Sequence, residues 1–440
     1  MNLPPSNGTS TTPLKELEQL GDQARSLDAQ DPLRAWRDEF WIPAHGEGSE
    51  QCYFVGNSLG LQPRALAAFM DEELGHWRDF GVEGHFSGPR PWMSYHEALR
   101  EPMAELVGAR PAEVVAMNAL TVNLHLLMVS FFRPEGRRNR IVIERQAFPS
   151  DRYAVESQLR FHGLDPESSL VELGAEGDDR LVDEALVENY LHREGDRVAL
   201  VLWPGVQYAT GQFFDLGRIA AAARGAGAAV GFDLAHAVGN VPLDLHGSGA
   251  DFAAWCSYKY LNAGAGAVSG AFVHERHHGD ADLPRFHGWW GCEPEQRFLM
   301  GPDFVPAPGA DAWLLSNSPI LSMAPLRVSL DIFGRAGFPA LRNKSLALTG
   351  FLERLLQEVV PDVIEIITPI DPARRGCQLS LAVREGPEAG RDLFGHLVRA
   401  GIVGDWREPD IIRVAPVPLY NQYQDCWKLV SQIRQWADAR

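Results

Sequence analysis

The sequence predicts an α/β protein with a large domain, built on a mostly parallel sheet covered by helices, and a smaller α+β domain. Two observations support this prediction. Short apolar runs alternate with helix-length segments over most of the chain, and the pattern changes near Arg335 to Gly337. Runs that are apolar throughout are typical of strands covered on both faces, as parallel strands are.

The predicted strands of the large domain are short and rich in β-branched or aliphatic residues. Helical segments such as Leu216–Gly225 separate them, and apolar residues at steps of three and four indicate an earlier helix between Arg64 and Phe80. The four strand-like runs are Arg140–Glu144, Val198–Trp203, Ala229–Asp233 and Phe252–Cys256.

The smaller domain shows helical and strand-like patterns in turn. Its predicted elements are the helices Ala340–Val359, Pro387–Ala400 and Tyr423–Ala437 and the strands Val363–Thr368 and Gln378–Val383. The resulting division is a disordered tail (1–13), a segment that packs on the small domain (14–50), a large ligand-binding domain (51–334) and a small C-terminal domain (335–440).

Composition excludes several classes of protein. With 45% hydrophobic and 22% charged residues, the chain is neither wholly disordered nor fibrous. The formal net charge of -18 argues against nucleic acid and anionic membranes as partners. The N-terminus is polar and the five cysteines are scattered, so we expect a cytoplasmic protein without disulfides and without a metal site.

An aspartate closes one of the predicted strands. Asp233 ends the run Ala229–Asp233, and His236 follows three residues later. Ligands of open α/β sheets bind at the carboxyl ends of strands, so a functional carboxylate is expected here. A turn-forming aspartate beside a packed histidine is the alternative interpretation.

A lysine follows the next predicted strand. Lys259 stands between Tyr258 and Tyr260 and before a run of small residues, which is a poor place for a solvated surface charge. Burial favours the neutral, nucleophilic form of a lysine amine. A lysine that holds an aldehyde and an acid that keeps a ring nitrogen protonated are what pyridoxal phosphate requires. No glycine-rich nucleotide-binding loop competes with this interpretation.

These residues and several further stretches resemble the kynureninases, pyridoxal-phosphate enzymes with the aspartate-aminotransferase type of fold. The resemblance runs from about Tyr53 to Tyr420. The matching stretches are Gly56–Gly60, Gly84–Trp92, Leu120–His125, Phe148–Asp151, Gly205–Tyr208, Thr210–Gln212, Tyr258–Asn262, Gly288–Gly291, Ser316–Asn317 and Arg413–Pro416.

The resemblance implies a hydrolase of tryptophan catabolism. Its substrate would be L-kynurenine, 3-hydroxy-L-kynurenine or both, and its products anthranilate or 3-hydroxyanthranilate plus L-alanine. It also implies a homodimer whose two chains share each active site.

Site residues follow from the same resemblance. Catalytic roles fall to Lys259, Tyr258 and Asp233: Lys259 bonds to the cofactor and then moves the α-proton, Asp233 pairs with the ring nitrogen, and Tyr258 delivers a proton. Pro204 departs from the family pattern, because some members have a small polar residue there, and it is left out of the site. The expected cofactor contacts are Leu120, Thr121, Phe148, Pro149, Ser150, Asp151, Asp233, His236, Tyr258, Lys259, Trp289 and Asn317, and the expected substrate contacts are Ser58, His85, Asn317 and Arg413.

Each of these positions also has a structural interpretation. Thr121 could be an ordinary helix cap, Phe148 a core aromatic residue, and Arg413 one half of a buried ion pair inside an apolar strand. By resemblance Arg413 instead forks onto the substrate α-carboxylate.

Two other functions stay open at this stage. A cysteine desulfurase or aminotransferase on the same fold would share the aspartate and lysine, but a desulfurase needs a mobile thiol, and Cys377 begins an apolar strand-like run. A regulator that binds the cofactor without catalysis is the second alternative, and the intact Lys259, Asp233 and Arg413 argue against it.

Overall fold

The structure is a computed structural model that describes residues 14–46, 48–174 and 179–440. The predicted tail, residues 1–13, lies outside the described residues. The helices are α1 (Leu14–Gln30), α2 (Leu66–Phe80), α3 (Arg100–Val107), α4 (Leu120–Phe131), α5 (Pro149–Phe161), α6 (Pro166–Ser169), α7 (Glu184–Glu194), α8 (Leu216–Gly225), α9 (Leu245–Ser248), α10 (Pro294–Arg297), α11 (Ile320–Ala336), α12 (Phe338–Val359), α13 (Pro387–Arg399) and α14 (Tyr423–Asp438).

The strands are shorter than the helices. They are β1 (Phe40–Trp41), β2 (Cys52–Tyr53), β3 (Gln62–Pro63), β4 (Val114–Met117), β5 (Arg140–Glu144), β6 (Leu170–Leu173), β7 (Val198–Pro204), β8 (Ala229–Asp233), β9 (Phe252–Trp255), β10 (Ser269–Val273), β11 (Ile364–Ile366), β12 (Leu379–Val383), β13 (Ile402–Val403), β14 (Asp405–Arg407) and β15 (Ile411–Val414).

A seven-stranded sheet forms the centre of the large domain, in the order β4-β10-β9-β8-β7-β5-β6. Five neighbouring strands, β9 to β6, are parallel, and β10 is antiparallel to both β4 and β9. All four predicted strands are present, which confirms the mostly parallel sheet. The other three strands of the sheet, β4, β6 and β10, were not predicted from the sequence.

Both faces of this sheet are covered. Ile141 and Ile143 of β5 pack into one apolar cluster with Leu124 of α4, whereas Val142 between them packs into another with Ile219 of α8. Successive side chains of a strand point to opposite faces, so an uninterrupted apolar run is what a sheet between two helical layers requires.

The small domain has a four-stranded antiparallel sheet in the order β11-β12-β15-β14. Its apolar cluster includes Leu352 of α12, Leu393 of α13 and Leu429 of α14, and Ala24 of α1 belongs to the same cluster. The N-terminal helix thus packs on the small domain. The domain boundaries themselves stay a prediction.

Two acidic side chains, one in α1 and one directly after it, bind residues of this domain. Asp28 accepts hydrogen bonds from the backbone N–H groups of Tyr423 (2.7 Å) and Gln424 (3.0 Å) at the start of α14. Asp31 forms a buried ion pair with Lys344 of α12, with 2.7 Å between the oxygen and the nitrogen.

The helix α2 presents an apolar face to solvent in the single chain. Leu74, Trp77 and Phe80 are 45%, 58% and 41% exposed, whereas the buried residues of this helix are Glu73 and His76. Among the described helices, none has the length and apolarity needed to cross a bilayer.

Candidate active site

A cavity of about 420 Å³ opens at the carboxyl ends of β5, β7 and β8. These strands end at Glu144, Pro204 and Asp233, and residues of β14 and β15 from the small domain form another wall. The cavity is lined by Asn57, Ser58, Ala119, Leu120, Thr121, Ile143, Glu144, Ala147, Phe148, Ser150, Asp151, Leu202, Trp203, Pro204, Val206, Tyr208, Asp233, Ala235, His236, Tyr258, Lys259, Arg407 and Arg413.

Two carboxyl groups lie together on the floor of the cavity. Asp233 is the last residue of β8, and its Oδ1 accepts a hydrogen bond of 2.7 Å from the N–H of Ala235. Asp151 lies in the first turn of α5, where burial and the neighbouring Asp233 carboxylate raise its pKa well above the ordinary value. The proton of this pair therefore resides on Asp151, which can donate it in a hydrogen bond to Asp233.

Lys259 contacts His236 directly. The amino group of Lys259 lies 3.0 Å from Nε2 of the imidazole. Burial, followed by the positive charge of Lys259, holds the pKa of His236 well below its ordinary value, so the ring stays neutral. Its Nδ1 is buried and has no hydrogen-bond partner among the described residues.

The opposite end of the cavity is formed by the start of α4. No side chain among the described residues caps this helix, so the N–H groups of its first turn have no side-chain acceptor there. The hydroxyl groups of Thr121 and Ser150 lie 2.8 Å apart beside it. An uncapped helix N-terminus with two hydroxyl groups is a suitable site for a phosphate.

Aromatic side chains form a further part of the wall. Phe148 is 42% exposed and meets Tyr208 edge to face, with 5.3 Å between the ring centroids, and its own centroid lies 6.0 Å from Nζ of Lys259. Burial raises the pKa of Tyr258, so its hydroxyl keeps its proton at neutral pH.

This arrangement fits the cofactor that the sequence predicts. An amine lies near an exposed aromatic face, a carboxyl pair lies where a ring nitrogen would find an acceptor, and the uncapped start of α4 offers donors to a phosphate. The unpartnered Nδ1 of His236 is a further polar atom that a bound group would satisfy.

The small domain contributes two guanidinium groups. Arg413 of β15 is buried, donates from Nη1 to the carbonyl oxygen of Tyr208 at 2.7 Å, and forms an ion pair through Nη2 with Asp405 of β14. Arg407 of β14 binds the same Asp405 oxygen at 3.0 Å. For Arg413 the sequence allows either a structural ion pair or substrate binding. The structure contains the ion pair and also places Arg413 at the cavity.

Two residues of the cavity wall, Glu144 and Arg407, were not predicted from the sequence. Glu144 is buried at the end of β5, and its only side-chain partner in the described part of the chain is Nε2 of Gln207 at 3.5 Å. Burial raises its pKa to about 8. The same rule that selected Asp233, an acidic residue closing an apolar strand, would have selected Glu144 as well.

Four of the predicted site residues do not line the cavity of the single chain. Pro149 follows Phe148 at the start of α5, and Asn317 is exposed. Nδ1 of His85 lies 3.0 Å from the carbonyl oxygen of Val82, and the indole N–H of Trp289 donates to the carbonyl oxygen of Arg297 at 2.9 Å. The roles of all predicted site residues stay predictions.

Comparison with protein families gives two matches. Residues 341–433 match the family described as the kynureninase C-terminal domain, and residues 53–276 match the class-V aminotransferases. The chain is 59% identical to the kynureninase of Xanthomonas euvesicatoria pv. vesicatoria, over 94% of this chain and 98% of that protein. It is 58% identical to the kynureninase of Xanthomonas oryzae pv. oryzae, with the same coverage.

Solved structures with a similar fold are much more distant in sequence. The cysteine desulfurase CsdA from Escherichia coli superposes with a TM-score of 0.73 at 17% identity, over 94% of this chain and 98% of that chain. A mutant of C-DES with glycine covalently linked to its PLP cofactor superposes with a TM-score of 0.71 at 19% identity, over 87% and 96%. These likenesses confirm the fold predicted from the sequence.

Proposed function

The chain belongs to the kynureninase family, and on this basis we propose that its cavity binds pyridoxal 5′-phosphate and cleaves L-kynurenine, 3-hydroxy-L-kynurenine or both. The reaction adds water across a carbon–carbon bond and gives an anthranilate and L-alanine. One observation carries the assignment of the site: a single cavity brings Lys259, Asp233 and Arg413 together from two strand ends and the small domain.

Several residues have the chemistry to hold the cofactor. The first turn of α4, with Thr121 and Ser150, would bind the phosphate, and Phe148 would pack on the ring. Asp233, to which Asp151 can donate a hydrogen bond, would accept a hydrogen bond from the protonated ring nitrogen. When bound, pyridoxal phosphate supplies an aldehyde that condenses with amines and a ring that accepts electrons.

Lys259 and Tyr258 are the proposed proton carriers. Nε2 of the neutral His236 holds the Lys259 amine inside the cavity, where it can bond to the cofactor or, once displaced by the substrate amine, remove the α-proton. Tyr258 keeps its proton because burial raises its pKa, so its hydroxyl can donate to the carbon released by cleavage. Arg413 would bind the α-carboxylate.

The structure does not favour a desulfurase. All five cysteines are buried, at positions 52, 256, 292, 377 and 426. Burial raises the pKa of the Cys377 thiol to about 12, whereas a catalytic thiol must reach the substrate as a thiolate.

A second copy of the chain is the proposed partner. The aromatic rings of Phe86, Trp289 and Phe298 form one exposed cluster, with 6.5 Å and 5.3 Å between the centroids of neighbouring rings, and Leu299 and Met300 beside it are 75% and 78% exposed. Exposed apolar groups of this kind, like the outer face of α2, are typical of surfaces covered by a partner.

The homodimer would also complete the site. Trp289 belongs to this cluster, and Asn317 is exposed, so both are free to meet the cavity of the partner subunit. We propose a cytoplasmic location because none of the five cysteines forms a disulfide, as is usual in a reducing compartment.

One assay tests the function. The purified, cofactor-loaded protein should release anthranilate from L-kynurenine or 3-hydroxyanthranilate from 3-hydroxy-L-kynurenine, with one L-alanine for each anthranilate. An aminotransferase would instead form a keto acid without releasing an anthranilate. A yellow protein that cleaves neither substrate would refute the proposal.

A further inference from the structure

The cavity wall formed by the small domain carries more positive than negative charge. Asp405 and Arg407 are two residues apart in β14, so their side chains lie on the same face of the strand, and Asp405 pairs in register with Arg413 of β15. Two guanidinium groups therefore share the single carboxylate of Asp405.

The two arginines differ in exposure and in how many of their terminal nitrogens already form hydrogen bonds. Arg413 is only 1% exposed and uses both of its terminal nitrogens, for Tyr208 and for Asp405. Arg407 is 36% exposed and uses one terminal nitrogen, for Asp405. In both side chains the Nε is buried and has no hydrogen-bond acceptor among the described residues. Buried donors without acceptors are unfavourable, so this wall lacks an acceptor, and an anion would supply one.

The charges of both guanidinium groups affect the pKa values of the same two cavity residues, His236 and Tyr208. After burial and Lys259, the charges of Arg413 and Arg407 lower the pKa of His236 further. Arg407 and Arg413 likewise oppose the rise of the Tyr208 pKa, which burial causes. Arg407 and Arg413 both line the cavity, as do His236 and Tyr208.

The position of Arg407 is fixed relative to the large domain. Asp410, in the turn between β14 and β15, accepts two hydrogen bonds from Arg180, at 2.9 Å and 2.6 Å. A bidentate pair of this kind restricts both distance and orientation. The hairpin is therefore held against the large domain, with Arg407 at the cavity wall.

We propose that Arg407 is a second substrate-binding residue, which binds the substrate α-carboxylate together with Arg413 while Asp405 orients both guanidinium groups. This inference rests on the proposed function, because it assumes an amino-acid substrate in this cavity. It deepens that function by predicting that the site requires a carboxylate and rejects the corresponding amide.

The test compares two ligands that differ in the group attached to the α-carbon. L-alanine carries the carboxylate, and L-alaninamide carries a neutral amide in its place. Dissociation constants of both are measured by calorimetry on the cofactor-loaded wild type and on Arg407→Gln. We expect the substitution to weaken L-alanine binding about tenfold or more and to change L-alaninamide binding less than twofold. The KM for kynurenine should rise by a similar factor, with kcat within about threefold.

Two further variants make the outcome specific. Arg407→Lys keeps the charge without the fork and should fall between the wild type and Arg407→Gln for L-alanine. Arg391→Gln removes an exposed arginine of the same domain, which pairs with Glu408, and should leave both dissociation constants unchanged. Thermal unfolding and cofactor content of each variant show whether the fold and the cofactor are retained.

Three results would overturn the inference. Equal weakening of both ligands would show that Arg407 acts on the structure of the site and not on the carboxylate. Unchanged binding of both would exclude it from the site. Loss of the cofactor from a folded Arg407→Gln would assign it to the cofactor phosphate. The proposed function is judged separately, by whether the wild type releases an anthranilate.

Discussion

Nε2 of His236 faces the amino group of Lys259 at a distance of 3.0 Å. Since the pKa of His236 is held well below its ordinary value by burial and by Lys259, we assign the ring proton to Nδ1, which leaves Nε2 free to accept. The histidine thus places the amine inside the cavity without competing with it for a proton.

Replacing this amine should abolish both catalysis and covalent attachment of the cofactor. For Lys259→Ala we expect kcat to fall at least a hundredfold, in the range usual for loss of an acid–base group, and borohydride to fix no cofactor to the protein. Turnover and the visible spectrum are the measurements. Lys428→Ala, at an exposed position of α14, is the matched control and should resemble the wild type. A borohydride-stable adduct in Lys259→Ala would refute the assignment.

The carboxyl pair predicts unequal effects of two similar substitutions. Asp151 holds the proton of the pair, so Asp151→Asn replaces a neutral donor by another and should lower kcat less than about tenfold. Asp233→Asn removes the carboxylate beside the ring nitrogen and should lower kcat about a hundredfold or more. The measurement is the steady-state kcat of both variants and of the wild type at one pH. A larger loss in Asp151→Asn would reverse the two roles.

Buried Glu144 predicts a pH dependence of stability. Its pKa of about 8 in the folded chain exceeds the ordinary value of 4.5, so the folded state binds the proton more tightly. The stability that this tighter proton binding contributes is fully present below pH 4.5 and is lost as the pH rises to about 8. Glu144→Gln should therefore gain stability over the wild type between these values, up to about 5 kcal/mol.

Urea unfolding at pH 5.5 and pH 8 measures this difference. Glu167→Gln, at an exposed position, should show no such trend. A constant difference between Glu144→Gln and the wild type across this pH range would mean that Glu144 titrates normally.

Shared active sites predict complementation between two chains that each lack a different part of the site. Mixing Lys259→Ala with Asn317→Ala should give hybrid dimers with one intact site, and random exchange restores about a quarter of the wild-type activity. Activity after subunit exchange is the measurement, and Lys259→Ala exchanged with itself is the control. If hybrids form and stay inactive, the sites are not shared.

Substrate preference is predicted to depend on polar groups near the aryl ring. A site that hydrogen-bonds a ring hydroxyl discriminates against the analogue without one, so we expect 3-hydroxykynurenine to have the higher kcat/KM. His85→Phe with Asn317→Thr should shift the ratio toward kynurenine by about tenfold, or about 1.4 kcal/mol. Neither residue lines the cavity of the single chain, so the effect requires the dimer. A wild type that already favours kynurenine tenfold would contradict this prediction.

The sequence predicted the central strands and the residues that follow them. β5 and β8 begin and end where the apolar runs do, and Asp233 and Lys259 were found because strand ends of a parallel sheet converge. Arg407 could not be found in this way. It lies in a short strand whose residues Asp405, Trp406 and Arg407 show no apolar run, and only the pairing of β14 with β15 brings it beside Arg413.

The sequence also could not show which helix faces meet solvent. The apolar residues of α2 predict an amphipathic helix, yet in the single chain Trp77 is 58% exposed and Glu73 is buried beside Arg90, with 2.5 Å between their ion-paired atoms. Periodicity identifies a face but does not state what covers it.

The hydrogen bonds that Asp28 accepts from the first residues of α14 have a consequence for biosynthesis. They join parts of the chain that are 395 and 396 residues apart, and the surrounding apolar cluster draws on α1 and on the last helix. During translation α1 leaves the ribosome long before α14, and its apolar side stays uncovered until α14 has been synthesised. The central sheet needs no such delay, because its strands all precede residue 274. The small domain can therefore complete its apolar core only after α14 has left the ribosome, and until then the apolar side chains of α1 are open to chaperones.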